Sequence, residues 1–218
     1  MLDKNGIPSF LKQSSSERDL GVIMNQTLSP DDHINTIVVK SLRVLGCIRR
    51  YFSHIDEQTF LTLYKSLIRP ILEYNSAVWS PNLKKHKEKI ETVQRKATKI
   101  VPSLMHLPYS ERLRHLGLPT LEYRRDREDL IQTFKILSEE NNPLSHFFII
   151  ERTQRLRGHS KKIKKTEHYK SCLRQNFFSQ RVINNWNALS QETVNASSLN
   201  TFKTCLNSLN WHENKFVL

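Results

Sequence analysis

Residues 64–80 read YKSLIRPILEYNSAVWS and residues 83–101 read LKKHKEKIETVQRKATKIV. In the second stretch Leu83, Ile90, Val93, Ala97 and Ile100 fall on one side of a helix. Lys84, Lys85, Arg95, Lys96 and Lys99 fall on the other, the separation of faces expected of a surface helix packed on a core. Pro102 stops it. The first stretch continues a helix that starts at Asp56 and carries Phe60, Tyr64, Leu67 and Ile68 inward. Pro70 lacks a backbone N–H and is expected to kink or divide it, residues 71–78 forming a further helical piece that Pro81 ends. Both stretches predict a mainly α protein whose helices carry positive charge.

The same period extends in both directions. Ser29-Pro30-Asp31-Asp32 offers a capping hydroxyl, a proline at the first helical position and two carboxylates against the positive helix end. Ile34, Ile37, Val38, Leu42, Leu45, Ile48 and Phe52 follow on one face, with Lys40, Arg43 and Arg50 opposite. A short helix is predicted over residues 110–116, closed by Gly117 as a left-handed cap. Thr120 then caps a longer helix with Leu121, Leu130, Ile131, Phe134 and Leu137 inward, ending near Asn141-Asn142-Pro143. Helical pattern returns with Phe178, Val182, Trp186 and Leu189, then with Leu199, Phe202, Leu206 and Leu209. Residues 1–16 read as a loose lead-in, and residues 19–24 as a short strand that needs neighbours to be stable. From Glu151 to Lys170 the apolar period vanishes: Arg152, Arg155, Arg157, Lys161, Lys162, Lys164, Lys165 and Lys170 face only Glu151 and Glu167. That connector is expected to be extended or disordered without a ligand.

Composition narrows the partners. The 218 residues carry a formal net charge of +13, which makes a polyanion the default expectation. No apolar run approaches the roughly 20 residues of a membrane span, and MLDKNGIPSF lacks a signal pattern. Cys47, Cys172 and Cys205 are few, scattered and odd in number, so they read as reduced intracellular thiols. The sequons at Asn25 and Asn195 then read as chance matches.

The wording of these segments goes further than their composition. Residues 64–80 with residues 89–101 resemble the region downstream of the polymerase active site in non-LTR (LINE-type, jockey-like) retrotransposon reverse transcriptases. Other blocks stand in that family's order: Asp19-Leu20-Gly21-Val22, Gly117-Leu118-Pro119-Thr120-Leu121-Glu122-Tyr123-Arg124-Arg125, Arg157-Gly158-His159-Ser160, and Asn176-Phe177-Phe178-Ser179-Gln180-Arg181-Val182 with Trp186-Asn187. The ordered set covers residues 17–209. The resemblance implies a palm-end remnant with a short strand over residues 1–28 and a helical thumb-like domain over 29–145. A basic connector over 146–175 and a C-terminal helical segment over 176–218 follow. It implies no catalysis by this chain, because the family's two magnesium ions sit on palm carboxylates in an aromatic-x-Asp-Asp turn. The Asp31-Asp32 pair follows Ser-Pro and opens a helix instead.

The expected activity is therefore nonspecific binding of RNA or DNA through phosphate contacts. The candidate residues are Lys84, Lys85, Arg95, Lys96, Lys99, Arg155, Arg157, Lys161, Lys162, Lys164 and Lys165. No cofactor, metal, small-molecule substrate or membrane partner is expected, and the compartment is intracellular, nuclear or cytoplasmic. Cys172 with His159 and His168 lacks a zinc-knuckle spacing. Trp79, Trp186, Phe177 and Phe178 could stack on bases, but at helical spacing they read as packing residues, as do Tyr64 and Tyr74. Two rival readings stand beside this one. In the first, a palm-containing polypeptide encoded upstream completes a split polymerase; in the second, the chain is a helical transposon fossil without function.

Overall fold

The computed structural model describes residues 14–151, 158–165 and 172–208. The chain is mainly helical, with a small two-stranded antiparallel sheet at its N-terminal end. The sheet differs from the single strand predicted over residues 19–24. It is a hairpin of β1 (Ser16–Asp19) and β2 (Val22–Asn25), with Asp19 opposite Val22. Leu20 (φ 43°) and Gly21 (φ 86°) form the two-residue turn, whose two positive φ values match the twist of paired strands. A Cβ on Gly21 would lie 3.2 Å from the Tyr74 ring, so the exposed ring would have to give by a few tenths of an ångström. β1 supplies the neighbour that β2 requires, and Val22 is buried against the helices.

α1 (Asp31–Tyr51) buries Ile34, Ile37, Val38, Leu45 and Ile48, the predicted face, while Leu42 is half-buried and Phe52 is largely open. Its N-cap position is Pro30 and not Ser29. Ser29 acts from one residue further out, donating to the Asp31 carboxylate at 2.8 Å. α2 (Glu57–Leu63), capped by the Asp56 carboxylate on the Thr59 N–H at 2.7 Å, runs into a π turn over Tyr64–Ile68 and then α3 (Arg69–Glu73). The π turn answers Pro70. The ring would clash with the carbonyl four residues back in a regular helix, and the wider step, in which the Arg69 N–H reaches Tyr64 O, opens room. The added residue rotates the helix face by roughly 100°, and Leu67 accordingly points outward.

The predicted helix over residues 71–78 is broken. Asn75 takes a left-handed conformation (φ 51°) between α3 and α4 (Ser76–Trp79). Tyr74 at that corner is exposed, contrary to its reading as a core residue, and its hydroxyl donates to Leu20 O at 3.1 Å, tying the hairpin turn to the helices. α5 (Lys84–Ala97) ends in a 3₁₀ turn over Thr98–Ile100, and α6 (Tyr109–Leu116) ends at Gly117 (φ 59°). The Leu118 N–H returns to Leu113 O at 2.9 Å, with both leucines buried, a Schellman cap.

α7 (Leu121–Ser138) starts as predicted, Thr120 accepting from the Tyr123 N–H at 3.2 Å. It belongs to two cores. Leu121 closes the first core with residues of α1 through α6. Leu130, Ile131, Phe134 and Ile136 enter the second core, whose other members include Phe148, Ile163, Val182, Trp186 and Phe202. The second core is covered by the short helices α9 (Phe178–Arg181), α10 (Ile183–Asn187) and α11 (Gln191–Val194) and by α12 (Leu199–Ser208), with α8 (Cys172–Gln175) preceding α9. Phe134 stacks on Phe202 at 4.2 Å between centroids. Among the described residues, no helix is long and apolar enough to cross a membrane.

Candidate nucleic-acid interface

On α5 the buried residues are His86, Ile90, Val93, Gln94 and Ala97. Lys84, Lys85, Arg95, Lys96 and Lys99 are all exposed. Placed at 100° per residue, these five bases fill one arc and the buried residues the opposite one. Lys89 lies on the same basic arc, exposed, and bonds the Asn35 carboxamide of α1. From Lys84 to Lys99 the stripe runs about 22 Å at 1.5 Å per residue. Its pairings leave the charge available. Lys84 meets Glu88 at 3.8 Å with both side chains open to water, a pair of little strength. Arg95 lies over the Tyr109 ring at 5.0 Å. Leu83, predicted inward, is exposed at the helix entry, ahead of the first residue the core covers.

The second basic segment is built differently. Gly158 to Lys165 is not a loose connector but is pinned to the second core. Ile163 is buried and pairs with Ile150 in an antiparallel bridge. Asn187 holds the Ile163 backbone from both sides, its Oδ1 accepting from the N–H and its Nδ2 donating to the C=O, each at 2.9 Å. Trp186 Nε1 donates to Lys161 O at 2.8 Å. His159 is buried edge-on to Trp186, with Nε2 donating to Trp186 O at 3.0 Å. Glu151 N–H donates to Lys162 O and Lys164 N–H to Ile149 O, both at 2.7 Å. Backbone bonding of this kind replaces the apolar period that sequence reading looks for, which is why the segment read as extended or disordered without a ligand. Lys161 and Lys162 are half-buried, while Lys164 and Lys165 are exposed. Arg155 and Arg157 lie outside the described residues, as do Arg152, Lys170 and His168.

Asp31 and Asp32 are occupied at the helix entrance. Asp31 contacts the buried His86 ring, and the Ser29 hydroxyl is the main cause holding its carboxyl below the ordinary range. Asp32 accepts from Asn25 Nδ2 at 3.0 Å. Trp79 is a packing residue, buried beside His33 with its Nε1 donating to Tyr74 O at 2.8 Å. Phe178 is half-buried edge-on to Phe148. Phe177 is half exposed and lies under the Arg174 guanidinium at 5.6 Å, not in the core.

Sequence reading missed the polar interior of the first core. Tyr64 bonds Gln94, whose Nε2 donates to Tyr109 Oη at 3.1 Å and to Pro119 O at 2.9 Å. Tyr109 in turn bonds Glu91, whose other oxygen accepts from the Leu121 N–H at 2.9 Å. Burial raises the Glu91 carboxyl above its usual range and pushes both tyrosines up. Gln94 is the residue that could have signalled this, being an amide at the edge of the apolar stripe.

No protein-family model, curated protein or solved structure matches the chain.

Proposed function

We propose that this chain is a non-catalytic piece of a non-LTR retrotransposon RNA-directed DNA polymerase, its thumb and post-thumb region, acting inside the cell by gripping RNA or DNA backbone without regard to sequence. The ordered motif blocks supply the family reading. The observation that supports the binding reading best is the α5 arc, where exposed Lys84, Lys85, Arg95, Lys96 and Lys99 stand opposite Ile90, Val93 and Ala97, which are wholly buried. A rigid helix presents these charges in fixed register. Each phosphate they neutralise releases condensed counterions, so affinity is salt-sensitive and indifferent to base order.

The test is the salt dependence of duplex binding, read by fluorescence anisotropy. Replacing Lys85, Arg95, Lys96 and Lys99 by Gln removes charge from a solvated face without touching the buried stripe. The log–log salt slope then flattens by roughly 0.9 per lost contact on B-form DNA. The matched control replaces Lys40, Arg43 and Arg50 on the exposed side of α1. Equal losses from both sets would mean diffuse attraction to a basic protein and would overturn the α5 interface.

A further inference from the structure

Several arginines of this molecule are withdrawn from water, and most are well employed. Arg112 donates from Nε to Thr98 Oγ1 at 3.0 Å, from Nη1 to Leu107 O at 2.6 Å and from Nη2 to Arg95 O at 3.3 Å. Arg181 clasps both oxygens of Asp129, at 2.7 and 2.8 Å, and reaches Ala77 O at 2.8 Å. Arg124 clasps Glu73 through Nε and Nη2. Arg125 is different. It is 2% exposed, yet among the described residues neither Nη1 nor Nη2 has a hydrogen-bond partner. Glu91, Asp126, Glu122 and Glu73 lie within electrostatic range, but none of them hydrogen-bonds Nη1 or Nη2, and the oxygens of Glu91 and Glu73 are taken by Tyr109, the Leu121 N–H and Arg124. A buried guanidinium left without partners is strongly disfavoured, far more than a buried ion that is paired.

Arg125 lies on the wall of a cavity of about 890 Å³ between the hairpin, the α3–α4 corner, α7 and residues 176–178. That volume falls within the range of small-ligand sites. The rest of the wall is mostly apolar, and Leu28, Val78, Leu144 and Phe177 each leave about half their surface open. A second cavity of about 250 Å³, which shares Ser80, Asn82, Arg125 and Asn176 with the first, is lined also by Glu122, Asp126 and Asp129, carboxylates that repel an anion. The larger cavity, with its more apolar wall, is the one with room for a ligand that brings hydrogen-bond acceptors to the Nη groups.

We propose that this larger cavity binds a small amphiphilic carboxylate, its carboxyl group pairing with Arg125 and its apolar chain lying along Leu28, Val78, Leu144 and Phe177. The two Nη groups form a planar fork that matches two carboxylate oxygens. Glu73 and Glu128 on the same wall disfavour a doubly charged group. The Nη atoms are screened from bulk water, so the pair forms by a rotamer change that turns the guanidinium toward the cavity, in surroundings where charge attraction is strong. This site is separate from the α5 arc and does not depend on nucleic-acid binding.

The full chain is tested by calorimetry and thermal unfolding with decanoate, decanol and acetate. Decanoate is expected to bind saturably and raise the melting temperature, with decanol and acetate about tenfold or more weaker. Arg125→Met is expected to abolish the advantage of decanoate over decanol without lowering the melting temperature of the unliganded protein, because the guanidinium it removes has no partner to lose. Val78→Trp, which fills the apolar part, is expected to weaken decanoate with Arg125 intact. The four-residue Gln variant of α5 is expected to leave decanoate binding unchanged. The proposal is overturned if Arg125→Met binds decanoate as wild type does, if it melts well below wild type, if Val78→Trp binds decanoate undiminished, if the α5 variant weakens decanoate binding, or if decanol or acetate matches decanoate.

Discussion

The bases of α5 and those of residues 158–165 carry the same sign and similar density, but they are held by different forces. α5 is fixed by burying Ile90, Val93 and Ala97, so its charges follow from where the apolar side chains must go. The 158–165 segment is fixed by hydrogen bonds to its backbone from Asn187, Trp186 and neighbouring chain, with Ile163 as its one buried aliphatic side chain. The first arrangement leaves a period in the sequence and the second does not. A basic stretch without periodicity is therefore not evidence of disorder when an Asn and a Trp elsewhere can grip its peptide groups.

The largest expected effect falls on the side held by burial. Ile90→Asp places an unpaired carboxylate where the wild-type side chain is fully buried, at a cost of about 4 kcal/mol or more. Helical circular dichroism and cooperative melting of the first core should be lost. A wild-type melting curve would mean that burial does not hold α5.

A smaller effect belongs to the hydrogen-bonded segment. Asn187→Leu leaves the Ile163 N–H and C=O without their 2.9 Å partners, costing about 2–3 kcal/mol. Hydrogen exchange should show the Ile163 amide losing protection while Ile90 and Val93 keep theirs. Unchanged protection at Ile163 would remove the contrast between the two segments.

The smallest effect is a pH dependence shared by both parts. Burial lowers the pKa of His33 and of His159 below the ordinary 6.5. Above pH 6.5 both are neutral folded or unfolded. Around and below it the unfolded chain takes up protons that the folded chain resists, so stability falls as pH drops through 6.5 toward the lowered values of the folded imidazoles. Protonation costs His33 its role as acceptor of the Ile23 N–H at 3.3 Å. At His159 it adds a proton to Nδ1, a buried atom without a partner. His33→Gln and His159→Gln should each flatten the melting temperature over this window. A flat wild-type profile would show that neither imidazole is held neutral by the fold.

The helices were legible where apolar residues recur at three and four positions and a proline, glycine or capping hydroxyl marks the end, as at Thr120 and Gly117. The hairpin was half legible. Gly21 was visible, but β1 reads SERD and buries nothing, so no alternation announced it. Pro70 announced a disturbance, not its form as a π turn. The α5 arc followed from the helical period alone. The unpartnered Nη groups of Arg125 did not, because which acids reach a guanidinium on α7, and which of their oxygens Arg124, Tyr109 and Leu121 already hold, is set by tertiary geometry.

α7 has a further consequence for how the polypeptide can be divided. Its first turn completes one core and its last turns complete the other, while Arg181 of α9 bonds both Asp129 on α7 and Ala77 on α4. The two cores are thus built on opposite ends of one helix, Leu121 serving the first and Leu130, Ile131, Phe134 and Ile136 the second. A junction within residues 130–136 would divide the second core's own wall, whereas one within residues 122–129 would part the two cores along the helix that joins them.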